Sequence, residues 1–202
     1  MLEQRIQQHF FESADLKYQS AEVLSRPVAD AAQAIVAGLT AGGRLFTAGA
    51  GVAASLAQLM ANELLGRFER ERPGLAAMAL GQDGSSLGAL ARLGTLESVL
   101  ARQLEPLGQP GDLLLLVDPE GDDPGLRAAA QSAQGKDMTV IALTGQAKGQ
   151  PGGALAAVLG ETDVLVAVPH ERRARVLEAL LLVLHCLCDA IDLQLLGEQD
   201  PA

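Results

Sequence analysis

The chain has 202 residues, 49% hydrophobic and 20% charged, and its 15 basic against 25 acidic side chains give a formal charge of −10. That length suits one folded domain with a sizeable core. The acidic balance and the scarcity of aromatics (four Phe, one Tyr, no Trp) argue against a nucleic-acid surface, which needs a basic patch and stacking platforms.

Residues 3–25 read as a helix: Ile6, Phe10, Ala14 and Tyr18 recur every fourth position, with Arg5, Glu12, Asp15 and Lys17 elsewhere around it. Glu3, Arg5 and Glu12 stand where a secretory leader would be apolar, so a soluble, cytoplasmic protein without membrane contact is expected. Pro27 is expected to end this helix and to open a second over 28–41, closed by Gly42-Gly43. Phe10, Phe11 and Tyr18 on so early a helix need cover, either from a partner subunit or from the chain's own domain.

From Arg44 the rhythm changes. Short apolar runs at 44–48, 75–80, 112–117, 138–143 and 163–168 are bounded by Gly, Pro or Asp and separated by helical stretches. Runs without strict polar alternation suit strands covered on both faces. The expected fold is α/β: a three-layer α-β-α sandwich on a parallel sheet, with a helical N-terminal extension over 1–41 and one domain over 1–202. Residues 171–196 form the last helix, with Leu177, Leu180, Leu181, Leu184, His185 and Cys188 on its apolar side. Cys186 and Cys188 point to different sides of that helix and are expected to be free thiols.

Ligands of an open parallel sheet bind beyond the carboxyl ends of its strands. The first such end is the small-residue turn Gly49-Ala50-Gly51 running into Ser55, and the third is Asp118-Pro119-Glu120-Gly121-Asp122-Asp123. Four carboxylates crowd the second loop, where they would repel an anion; Asp122 or Asp123 can instead cap the next helix, and a calcium loop is the other reading. Glu63 and His185 are polar residues on apolar helix faces. They suit an acid/base pair, or else separate pairings of Glu63 with Arg67 and of His185 with Asp189.

The glycine turn, the stretch Asn62-Glu63-Leu64-Leu65-Gly66-Arg67-Phe68, then Glu71-Arg72-Pro73, Pro110-Gly111-Asp112-Leu113-Leu114-Leu115, Ala142-Leu143-Thr144-Gly145 and Val168-Pro169 resemble the sugar isomerase (SIS) domain. Within it the chain is similar to the phosphoheptose isomerase group and to its relatives, the DnaA initiator-associating (DiaA) proteins. The DiaA side is favoured by 68–73, Asp137-Met138-Thr139, Ala174-Arg175 and 186–192. The resemblance implies a flavodoxin-like five-stranded sheet and a homotetramer assembled through the N-terminal and other long helices.

Residue by residue, the resemblance carries over unevenly. The first loop lacks the family's asparagine and serine, and of the phosphate loop only Gly121 remains, among Asp118, Glu120 and Asp123. The family's metal, usually zinc, has its four ligand positions here at Leu59, Glu63, Leu177 and His185; two donors do not make a zinc site, so no metal cofactor is expected. An Asn-Asp pair of the family appears as Arg92-Leu93. Glu63 and His185 match the pair implied to shuttle the proton, which in the family meets across a subunit boundary.

The expected function is therefore a non-catalytic DiaA-like protein that gathers DnaA at a replication origin, with Leu195-Leu196 near the polar tail as the contact point or as the end of the helix's core face. Its phosphosugar site, Gly49, Gly51, Ser55, Asp118, Glu120, Gly121 and Asp123, would be degenerate, and Glu63 and His185 vestigial. The alternative is a phosphoheptose isomerase converting sedoheptulose 7-phosphate to D-glycero-D-manno-heptose 7-phosphate. A third reading is a sensor that takes a neutral or cationic ligand in the acidic pocket.

Overall fold

A computed structural model describes residues 1–198; Gln199 and Asp200 of the polar tail lie outside the described residues. Five parallel strands, β1 (Leu45–Gly49), β2 (Ala77–Ala79), β3 (Leu113–Asp118), β4 (Thr139–Thr144) and β7 (Val164–Ala167), form one sheet in the order β2-β1-β3-β4-β7. Each strand coincides with one of the apolar runs. The side-chain period of two sends Leu113, Leu115 and Val117 to one face of β3 and Leu114 and Leu116 to the other, which is why the run carries no polar alternation.

On the first face lie α1 (Leu2–Thr40), α2 (Ala54–Leu65) and α7 (Arg173–Leu196). The second is covered by α4 (Val99–Leu107), α5 (Pro124–Gln134) and the single-turn α6 (Gly153–Ala156), with α3 (Gly84–Ala91) packed against α4. Asp112, buried at the foot of β3, accepts the Arg44 backbone N–H at 2.8 Å and an Arg44 guanidinium N–H at 2.8 Å, so the starts of β1 and β3 are pinned together. Among the described residues no helix is long and apolar enough to cross a membrane.

Pro27 does not break the N-terminal helix. α1 runs through it unbroken, because the carbonyl that Pro27 leaves without a donor belongs to Val23, which is exposed, while Leu24, Val28, Ala31, Ala32 and Ile35 bury the opposite face. The first half of α1 behaves differently. Ile6, Phe10, Phe11 and Tyr18 are exposed, Phe10 at 73% and Tyr18 at 86%, so the chain's own domain does not cover this apolar stripe. Leu181, expected on the buried side of α7, is also exposed.

A two-stranded ribbon, β5 (Gln146–Ala147) with β6 (Gln150–Pro151), follows β4 and has no counterpart in the expected elements. Its turn residues Lys148 (φ 51°) and Gly149 (φ 76°) both have positive φ, the requirement of a type I′ hairpin.

Candidate functional site

The carboxyl ends of β1 and β3 open into a cleft with two adjoining lobes. One, of about 340 Å³, is lined by Gly49, Ala54, Gly81, Gln82, Glu97 and Leu100 among others; the second, of about 460 Å³, by Asp118, Pro119, Glu120, Asp122 and Arg173. Ala50, Gly51, Asp123 and Pro124 border both. Gly49 is sterically required here: a Cβ on it would stand 2.4 Å from the Ala53 carbonyl oxygen, where the chain turns into α2. Ser55 is exposed on the first turn of α2 and does not line the cleft. Gly121 is buried with φ 72°, and a Cβ there would meet the Gly152 carbonyl oxygen at 2.6 Å, so its role is the tight approach of two loops.

The four carboxylates of the β3–α5 loop do not act as four charges facing the cleft. Asp118 is buried and turned inward, accepting the backbone N–H of Asp123 at 2.9 Å and of Glu120 at 3.3 Å. Burial pushes its carboxyl above the ordinary carboxylate range, against the pull of the N–H groups of Asp123, Gly121 and Glu120 and with a smaller push from the Asp123 charge. Asp123 caps α5, accepting the Leu126 N–H at 2.8 Å, so the helix-cap reading holds for Asp123. Only Glu120 and Asp122 present exposed side chains. All four border the second lobe, but Asp118 and Asp123 spend oxygens on backbone N–H groups, which softens the repulsion expected from the sequence.

Glu63 and His185 lie on the seam between α2 and α7, both half-buried. Met60 Sδ and Cys188 Sγ touch at 3.7 Å along it, and the rings of Phe68 and His185 are 5.5 Å apart. Burial, with a further push from the Glu63 charge, raises the Cys188 thiol to about 12, so it is an inert core thiol; Cys186 is exposed. Neither separate pairing is present among the described residues: Arg67 reaches Glu71 instead of Glu63, and no hydrogen bond or ion pair joins His185 to Asp189. No hydrogen bond links Glu63 to His185 within the chain either.

Leu59 and Leu177 add only carbon beside them, and no group of three His, Cys, Asp or Glu among the described residues is placed to share a metal ion. The donor set does not fit zinc. At the far end of α7, Leu195 packs on the core while Leu196 is exposed.

Sequence reasoning missed Arg173, on the first turn of α7. Its Nη2 lies 3.8 Å from the point where a Cβ on Gly51 would stand. Nothing in the local sequence marks it off from Arg172 and Arg175; only the return of α7 across the strand ends brings it to the cleft.

A five-stranded parallel sheet with a strand-end cleft between β1 and β3 defines the class, and residues 9–145 match the SIS-domain family. A phosphoheptose isomerase of Methylibium petroleiphilum is 56% identical over 200 residues, covering 99% of this chain and 98% of the relative. One from Thiobacillus denitrificans is 43% identical, covering 98% and 99%. Among solved structures, phosphoheptose isomerase GmhA from Neisseria gonorrhoeae superposes with a TM-score of 0.88 at 36% identity, covering 95% of this chain and 99% of that one. A phosphoheptose isomerase from Francisella tularensis gives 0.89 at 34%, covering 95% and 98%. The chain belongs to the phosphoheptose isomerase family of SIS-domain proteins. The expectation of a non-catalytic, DnaA-gathering protein is overturned: near-full-length relatives and structural neighbours alike are named as enzymes.

Proposed function

We propose that the chain is an aldose–ketose isomerase interconverting sedoheptulose 7-phosphate and D-glycero-D-manno-heptose 7-phosphate, with Glu63 as its base. The observation that carries the reading is Glu63 itself, a half-buried carboxylate at a position matching the family's proton-shuttling residue and left without the arginine partner its spacing offers. Glu63 takes a proton from C1 of the ketose and returns it to C2, while His185 gives a proton to the C2 oxygen and takes one from the C1 oxygen. The two transfers balance through an enediol, with no redox partner. Because the donor set does not fit zinc, no step runs through a metal.

In one chain the base is remote from the cleft: Glu63 lies nine positions along α2 from Ala54, at the cleft, about 13 Å of helix. We assign a homotetramer the role of joining them, with the exposed Ile6–Tyr18 stripe of α1 as part of the contact and the α2–α7 seam of a second copy bringing Glu63 and His185 to the cleft.

The test is turnover of sedoheptulose 7-phosphate. Glu63→Gln is expected to lower kcat by about 10²- to 10⁴-fold, the range for loss of one positioned acid/base group, with the fold unchanged by circular dichroism. EDTA is expected to leave wild-type turnover intact. Undiminished activity of Glu63→Gln, or no turnover by the wild type, would sink the reading.

A further inference from the structure

Three arginines open the last helix within four positions, and the structure separates their roles. Arg172 pairs with Glu12 of α1 at 3.0 Å. Arg175, buried, donates to the His9 carbonyl oxygen at 2.8 Å and pairs with Glu178 at 2.9 Å. Both therefore fasten the start of α7 to α1. Arg173 does neither: among the described residues it forms no ion pair and no side-chain hydrogen bond, although Glu120 and Asp122 line the same lobe.

We infer that Arg173 is the phosphate-anchoring residue of the strand-end cleft, a specificity determinant beside a β3–α5 loop in which only Gly121 remains of the family's phosphate loop. This rests on the isomerase reading above. Its guanidinium faces Gly51, where the absence of a side chain leaves the β1–α2 turn open. A planar guanidinium holds phosphate through two parallel N–H donors and stays charged at any working pH. The carboxylates that would compete for it are reduced in number: Asp118 is buried in its own loop and Asp123 is engaged at the α5 cap. Glu120 and Asp122 remain, and a phosphate must displace whatever weak attraction they exert on Arg173 across the lobe. Selectivity follows from that competition. A dianionic phosphate outcompetes two solvated carboxylates, and an unphosphorylated sugar has nothing to offer the guanidinium.

Titration calorimetry of the full-length wild type with sedoheptulose 7-phosphate and with inorganic phosphate, repeated on Arg173→Gln and Arg173→Lys, tests the assignment. Arg173→Gln is expected to weaken binding of both probes by about tenfold to a hundredfold, the range for a lost charge-assisted contact, and Arg173→Lys to recover part of it. Since Arg173 has no hydrogen-bond or ion-pair partner among the described residues, the thermal midpoint of Arg173→Gln should match the wild type. In turnover, KM should rise while kcat holds. A variant that binds both probes as tightly as the wild type, or a wild type that binds neither, overturns the assignment. Wild-type turnover with an unchanged KM in Arg173→Gln would remove the arginine and leave the isomerase reading standing. Phosphate binding lost on Arg173→Gln in a wild type that turns over no heptose phosphate would do the reverse.

Discussion

Arg72 enters the core with its charge, and each of its three guanidinium nitrogens finds an acceptor. Its Nε donates to Asp192 at 2.5 Å, and its two terminal nitrogens donate to the backbone carbonyls of Glu63, Leu64, Gly66 and Pro73; both partners of the ion pair are 1% exposed. The base candidate thus hangs from a backbone that Arg72 holds to α7. Replacing Arg72 by Leu leaves Asp192 as an uncompensated buried charge, so a loss of about 3–5 kcal/mol in urea-induced unfolding is expected. A loss below about 1 kcal/mol would show that Asp192 finds water or protonates at little cost. In sequence, Arg72 and Arg173 look like ordinary surface cations. Side-chain type and spacing exposed Glu63 and His185 because a charge on an apolar helix face is conspicuous; an arginine in a polar stretch is not, and its destination depends on which distant element returns to it.

At the scale of elements, the five strands were legible because a doubly covered strand writes its burial directly into a run of Leu, Val, Ile and Ala. Two features were not. Pro27 reads as a stop, yet a helix tolerates it where the orphaned carbonyl belongs to an exposed residue, Val23, and the next turns are anchored in the core. The β3–α5 loop reads as a field of negative charge, yet the backbone there needs acceptors and takes two of its own carboxylates, Asp118 for the loop and Asp123 for the helix. Asp123→Ala is expected to lower stability by about 1 kcal/mol in chemical denaturation, the usual worth of an N-cap acceptor. Asp123→Asn keeps the side-chain oxygen and should recover most of the loss. Equal destabilisation by both substitutions would mean that the charge at the α5 N-terminus, not the hydrogen bond to Leu126, holds the cap.

For the whole molecule, the apolar surface that matters is the first half of α1, exposed in the single chain. Its sequence has the helical periodicity of a buried face, but the chain supplies cover only from Leu16 onward, where α1 lies along α7. Phe10, Phe11 and Tyr18 account for three of the chain's five aromatic side chains, and all stand in solvent in the single chain. Large side chains left exposed together on one helix mark a surface that another molecule covers. Arg172 and Arg175 brace this same stretch of α1 against α7 through Glu12 and His9, so the stripe is held in place before any partner arrives. In the proposed tetramer, covering the stripe is also what completes the site, because Glu63 and the strand-end cleft of the same chain are too far apart along α2 to serve one substrate. Phe10→Asp combined with Tyr18→Asp is accordingly expected to shift the mass from tetramer to a smaller species in light scattering after size exclusion. Turnover should fall with it. The substituted positions are exposed, so each chain should keep its helical signal and its affinity for inorganic phosphate at Arg173. A wild type that is monomeric at micromolar concentration, or a dissociated variant with full isomerase turnover, would show that base and cleft are complete in one chain.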